Sequence, residues 1–224
     1  MLPGMDGTGE LFGSVVSCLD ASIESTVCCY PNDPDLHYEE LQQFAGTLLP
    51  EDEPFVVLGE SFSGPVAVML AARQSPNLQG LILVSTFLRA PKPWLLSAAL
   101  KLPDIAFANK PRMFVKQIVT AQGIETNPVT QIHAVANGLD TAVIRSRLQC
   151  IDSVDVRDLA GDIKVPVCTI TGRDDKLVSA HNARELGSYF DNVETNAIAG
   201  NHFVLQTSPE KSADIISRFC REQG

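Results

Sequence analysis

The sequence predicts an α/β fold: a mostly parallel sheet flanked by helices, with a helical cap inserted after the strand at 80–87. Three observations predict it. Short apolar, β-rich runs alternate with stretches of helical periodicity, the pattern of parallel strands buried on both faces. A tight corner, "LGESFSG" at 58–64, joins one of these runs to an apolar helix. Residues 88–160 then break the alternation with helical periodicity, several prolines and no clear strand.

The elements follow in order. The run "STVCCY" at 25–30 is a short strand, and residues 38–49 place Leu41, Phe44, Ala45, Leu48 and Leu49 on one helical face. Residues 54–59 are a buried-type strand. Residues 64–74 are apolar nearly all round, as a helix packed on a sheet is. Strands follow at 80–87, 165–171 and 193–199, with a helix at 179–190 and a closing helix at 208–222 that carries Pro209 in its first turn. This divides the chain into a core, 1–87 with 161–224, and an inserted cap, 88–160. The apolar cap residues (Trp94, Leu95, Leu96, Leu100, Phe107, Met113, Phe114 and Ile118) pack the cap, and a few facing the strand ends suffice to line an acyl pocket.

Composition narrows the function classes. A chain of 224 residues with 45% hydrophobic and 20% charged residues has the balance of one globular domain. Its formal charge of −10, without a Lys/Arg cluster, argues against nucleic acid as a partner. No apolar stretch reaches bilayer length, and the first ten residues have neither the basic start nor the apolar core of a secretion signal. The six cysteines form no CxxC pair and have no histidine at metal-ligand spacing, so they read as small buried thiols in the reducing compartment of a cytoplasmic protein rather than as a metal site or disulfides.

The corner at 58–64 has a steric and a chemical explanation. Sterically, Gly59, Ser63 and Gly64 are the small residues that a close strand–helix junction needs. Chemically, Gly-x-Ser-x-small-Gly presents Ser61 on a strained turn as a nucleophile. A serine nucleophile needs a base, the base an orienting acid, and the oxyanion two amide donors, all from loops at the carboxyl ends of strands. After the strand at 165–171 comes "GRDDKLVS", where Asp174 and Asp175 compete and the spacing Gly172, Asp175, Val178 favours Asp175. Of four histidines, His202 in "AGNHF" lies between the last strand and the last helix and is the candidate base. His181 falls on a helix, His37 reads as a surface loop residue and His133 belongs to the cap. The order Ser, Asp, His is that of hydrolases on this sheet type. The amide after the nucleophile, Phe62, is one oxyanion donor, and Met5 in the early loop "LPGMDGTGELF" is the other. In that loop Gly4 permits the sharp turn, Asp6 and Gly7 form a turn pair, and Thr8 caps the helix that follows.

Together "LPGMDGTG", "GESFSG", "GRDDKLVS" and "GNHF" resemble the α/β-hydrolase superfamily over nearly the whole chain. The first two resemble a bacterial esterase-like branch and are similar to the hydrolase-like portion of plant phytyl ester synthases. The resemblance implies an eight-stranded template, a cap after the sixth strand, a Ser-His-Asp triad and a small-molecule ester, thioester or acyl substrate with no cofactor. Ser63 departs from the glycine usual at its position. A second departure is that two strands and most of a third precede the "LPG" loop in the family, whereas here Met1 lies one residue from it. The third of these strands belongs between 25–30 and 54–59. Its loss would leave buried backbone groups unpaired at about 1–3 kcal/mol each, which leads to the expectation that the natural protein is longer. The expected function is ester hydrolysis through an acyl-enzyme. The alternatives are acyl transfer with the same triad, or a non-catalytic or inactive truncated hydrolase-fold protein.

Overall fold

The computed structural model describes residues 1–91, 132, 135, 138 and 140–223. Most of the expected cap, including His133 and the apolar residues from Trp94 to Ile118, lies outside the described residues. Over those described, the order is α1 (Gly13–Val16), α2 (Tyr38–Gly46), β1 (Phe55–Glu60), α3 (Gly64–Ala71), β2 (Leu78–Val84), α4 (Thr141–Ser153), α5 (Arg157–Ala160), β3 (Val167–Gly172), α6 (Ala180–Gly187), β4 (Val193–Ile198), α7 (Val204–Thr207) and α8 (Pro209–Gln223). Single 3₁₀ turns stand at Glu10–Phe12 and Ser61–Ser63.

The four strands form one parallel sheet in the order β1-β2-β3-β4. Alternating side chains go to opposite faces. In β2, Leu81 and Leu83 join one core cluster with residues of α2, α3 and α4, while Ile82 and Val84 join a second with Phe12, Val15, Leu205, Ile216 and Phe219. The uninterrupted apolar run of β2 is therefore what a doubly covered central strand requires. Residues 141–160 bury Ile144, Leu148, Ile151 and Val156 in the first cluster, so this end of the insertion packs directly on the α/β layers. Val156 N–H also donates to the Leu88 carbonyl at 2.9 Å.

Two expectations are corrected. Residues 25–30 are not a strand. Their β-rich composition is real, but their contacts with the chain in the strand position are few. Met1 donates to the Thr26 carbonyl at 2.7 Å and accepts from Cys28 N–H at 2.9 Å. On its other side Leu2 donates to the Leu58 carbonyl at 2.8 Å and accepts from Glu60 N–H at 3.1 Å. Two residues therefore run between the 26–28 segment and β1 as a single bridge, Leu2 to Gly59, and form no ladder. Beyond them a cavity of about 460 Å³ borders the edge of β1, lined by Met1, Leu2, Ile23, Thr26, Val56 and Leu58 among others. Second, Gly9 at φ +73°, not Thr8, is the N-cap of the turn at Glu10–Phe12, and the Thr8 hydroxyl accepts from Glu10 N–H at 3.2 Å.

Among the described residues no helix is long and apolar enough to cross a membrane, and no cluster of three or more His, Cys, Asp or Glu is placed to hold a metal. All six cysteines are free. Burial raises the thiols of Cys28 and Cys150 to about 11 and that of Cys168 to about 12. Cys29 is exposed, and Cys18 and Cys220 are half-buried, which corrects the uniform buried reading.

The sheet's stability rests on β2. Leu81 is fully buried. Leu81→Ala is expected to lower the unfolding free energy by about 2–5 kcal/mol, measured by urea denaturation. A loss under about 1 kcal/mol would show that the site collapses around the cavity.

Candidate active site

The nucleophile candidate is placed by backbone geometry. β1 ends at Glu60, and the 3₁₀ turn Ser61–Ser63 leads directly into α3, with Pro65 in its first turn. Ser61 sits at φ +49°, a left-handed conformation that non-glycine residues rarely adopt. The approach that forces it is very close. A Cβ on Gly59 would lie 2.7 Å from both the Ala67 Cβ and the Ser63 carbonyl oxygen, and one on Gly64 would overlap the Thr86 side chain. The Thr86 hydroxyl donates a short hydrogen bond to the Ser61 carbonyl. The steric and chemical explanations of the corner are therefore one: tight packing is what turns the serine outward.

The loops after β3 and β4 bring the other two candidates to it. Asp174 N–H bonds to the Gly200 carbonyl and Arg173 N–H to the Ile198 carbonyl, both at 2.9 Å. A Cβ on Gly172 would collide with the Asn201 carbonyl, so glycine lets the two loops touch. Ser61 Oγ lies 2.8 Å from His202 Nε2, and His202 Nδ1 lies 2.8 Å from Asp175 Oδ2. Asp175 Oδ1 accepts from the amides of Leu177 and Val178 at 2.8 and 2.9 Å. The side chains of His202 and Asp175 are 7% and 1% exposed, which shields the pair from water. Asp174 is exposed, and of the two competing acids it is Asp175 whose carboxylate lies at His202 Nδ1. His181 is exposed on α6. His37 is not a plain loop residue: it is the N-cap of α2, with its amide on Glu40 Oε2 at 3.0 Å and its Nδ1 3.3 Å from Cys150 Sγ.

The two oxyanion candidates belong to separate supports. Phe62 is buried in the first turn of the 61–63 helix, where amides have no intrahelical acceptor. Met5 lies in a turn closed by Gly7 N–H on the Gly4 carbonyl at 3.0 Å. The Gly4 carbonyl faces into this turn, and in a trans peptide the Met5 N–H points the opposite way, out of it. Asp6 acts in the turn, its Oδ2 accepting from Thr8 N–H and the Thr8 hydroxyl at 2.9 and 2.7 Å.

Sequence reasoning missed several supports. Ser63, read there only as a small residue, donates a short hydrogen bond to the Pro3 carbonyl and accepts from the Tyr30 hydroxyl at 2.8 Å. Its departure from glycine was the available signal. Glu60, between Gly59 and Ser61, is 6% exposed and accepts from Gln206 Nε2 at 3.0 Å. Arg147 on α4 donates to the Met5 and Asp6 carbonyls, each at 2.8 Å. Nothing in the sequence around Arg147 marks it.

Burial, more than the neighbouring Asp6 charge, lifts the Glu60 carboxyl from about 4.5 to about 7, against the lowering effects of Gln206 and His202. Between these two values the folded chain keeps the proton and the unfolded chain releases it, so stability falls as pH rises through the window. Glu60→Gln, which cannot ionise, is expected to flatten this part of the stability curve. Urea titrations of both proteins at the two ends of the window check it, and equal slopes would refute it.

The comparisons with known proteins bear on the family and the fold. A family model described as "Serine aminopeptidase, S33" (Hydrolase_4) matches residues 28–197. No curated protein matches the chain. Among solved structures, an esterase from Exiguobacterium antarcticum superposes with TM-score 0.82 at 13% identity, covering 99% of this chain and 90% of that one. An enol-lactonase from Burkholderia xenovorans LB400 gives 0.74 at 19% identity, covering 97% and 88%. A bromoperoxidase from Bacillus anthracis gives 0.76 at 14%, covering 98% and 90%. At these identities the likeness is one of fold. The chain belongs to the serine aminopeptidase S33-like hydrolase family (Hydrolase_4) within the α/β-hydrolase superfamily.

Proposed function

We propose that the protein is a serine hydrolase that cleaves carboxylic or thio-esters through an acyl-enzyme, with Ser61 as nucleophile, His202 as base and Asp175 as its orienting acid. The observation that carries this reading is the continuous relay Ser61 Oγ–His202 Nε2–His202 Nδ1–Asp175 Oδ2, with both links at 2.8 Å. His202 Nε2 takes the Ser61 proton as Oγ attacks the substrate carbonyl carbon. The carbonyl π electrons move to oxygen, where the amides of Met5 and Phe62 stabilise the negative charge. The tetrahedral species collapses, and the alkoxide or thiolate leaves with the proton from His202. Water, deprotonated by His202, then attacks the acyl carbon, and as the bond to Ser61 Oγ breaks His202 returns the proton to Oγ and the acid is released. Asp175 fixes the tautomer that leaves Nε2 free to accept and stabilises the imidazolium.

Residues 88–160 act in this reading as the cap that encloses the acyl group, with α4 as its connection to the core. Neighbours named as esterase and enol-lactonase favour an ester, whereas the family's name makes a peptide amide the competing substrate. Acyl transfer to an alcohol uses the same steps with the alcohol in place of water.

A fluorophosphonate probe followed by mass spectrometry is expected to place the adduct on Ser61. Ser61→Ala is expected to lower turnover of a p-nitrophenyl ester by about 10⁵–10⁶-fold with the fold intact. Asp175→Asn should lower it by about 10⁴-fold. Unchanged turnover in the Ser61 variant ends the proposal. Faster turnover of an aminoacyl anilide than of the ester would move the substrate class to peptides, and a long-chain alcohol that diverts the product to a new ester would identify acyl transfer.

A further inference from the structure

Arg147 is a buried cation bonded to several segments. It is 3% exposed, and burying a guanidinium is costly unless its donors are satisfied. Its Nη1 donates to the carbonyls of Met5 and Asp6, both at 2.8 Å, and its Nη2 reaches the Pro31 carbonyl at 3.5 Å. The guanidinium carbon also lies 6.0 Å from the ring centroids of both Tyr30 and Phe62, within cation–π range. These contacts surround the two proposed oxyanion donors. One belongs to Met5, whose carbonyl the arginine holds, and the other to Phe62, whose ring it faces.

We propose that Arg147 is a positioning residue for the oxyanion site: by clamping the Met5 and Asp6 carbonyls it fixes the turn from which the Met5 amide is presented. The proposal rests on the reading of Ser61 as nucleophile and Met5 as oxyanion donor. The rest of that turn is already restrained. The Gly4 carbonyl accepts from Gly7 N–H, and the Gly7 carbonyl accepts from Tyr30 N–H at 2.8 Å. The two peptides between them, those of the Met5 and Asp6 carbonyls, are the ones that Arg147 takes. A single amino group with two hydrogens serves both, and the planar fork holds them in fixed relative orientation, which the rotating ammonium of a lysine does not. Gly7 is part of the same arrangement. It stands at φ +72°, and a Cβ there would lie 2.6 Å from Arg147 Nη2. Arg147 touches no reacting atom. Its effect passes through the Met5 amide.

The experiment measures kcat and KM with a p-nitrophenyl ester, and Ki for a trifluoromethyl ketone analogue of the tetrahedral state, for the wild type, Arg147→Ala and Arg147→Lys. Removal of one oxyanion donor costs about 10²–10³-fold in kcat. Arg147→Ala is expected to lose about 10²-fold on the same basis, with KM within about 3-fold and the ketone's Ki raised in parallel with the fall in kcat/KM. The pH profile of kcat keeps its shape, because the base is untouched. Millimolar methylguanidinium should restore part of kcat and of ketone binding in Arg147→Ala. Arg147→Lys, which keeps the charge and reaches fewer carbonyls, should melt near the wild-type temperature and still lose rate, and it decides the matter if the alanine variant does not fold. A folded Arg147→Lys or Arg147→Ala protein with wild-type kcat and Ki overturns the inference while leaving the Ser61 reading in place. A wild type with neither a Ser61 adduct nor turnover overturns both.

Discussion

The site depends on how closely α3 approaches the end of β1. Gly59, Gly64 and Ala67 leave no space for a further carbon atom between the strand, the turn and the helix. A left-handed conformation at a residue other than glycine costs on the order of 1–3 kcal/mol and persists only where its surroundings over-determine it. At Ser61 the surroundings do so: Phe62, Val66 and Ala67 are fully buried around the turn, and Thr86, from the loop after the neighbouring strand, holds the Ser61 carbonyl. Loosening the approach by one side-chain atom would let the turn relax, and the serine oxygen would leave its place opposite His202.

The strained corner also organises the early loop. Ser63 donates across to the Pro3 carbonyl and accepts a hydrogen bond from the Tyr30 hydroxyl, so one side chain ties three segments. With Tyr30 N–H on the Gly7 carbonyl and Leu2 bonded to both sides of Gly59, the loop at 2–7 has a partner for nearly every carbonyl. Buried carbonyls without partners cost about 1–3 kcal/mol each. The same satisfied groups that make the loop stable therefore fix the direction of its amides.

The sequence revealed the parts of this arrangement that follow from local rules. Ser61 and Asp175 each stand just after a strand with a strong apolar signature, His202 follows the more polar β4, and the roles proposed for them need particular residue types at particular loop positions. β1, β2, β3 and β4 fall within a few residues of their predicted limits. The run at 25–30 was misread because β propensity records suitability for a pleated surface and says nothing of the partner. Among the described residues only Met1 and Leu2 lie in the partner position. Arg147, Tyr30 and Glu60 were illegible for a different reason: each matters through a contact with a segment between about 30 and 145 residues away or through burial, and neither has a local pattern.

These two kinds of residue correspond to two ways of holding a reactive group. The proposed acid and base are held by main chain: the loops after β3 and β4 bond to each other through backbone amides and carbonyls, and Asp175 is oriented by the amides of Leu177 and Val178. The early loop is held by main chain at Leu2, Gly4 and Gly7 and, between them, by side chains from elsewhere, Ser63 from the corner and Arg147 from α4. Backbone support tolerates wide sequence change, so a motif remains readable. Side-chain support is set by whichever residue reaches, and it links the early loop to the helix that ends the 88–160 segment. A substitution on the buried face of α4 therefore has a short mechanical route to the Met5 peptide, through one guanidinium and two carbonyls, without touching any group that the motif-based reading would mark as part of the site.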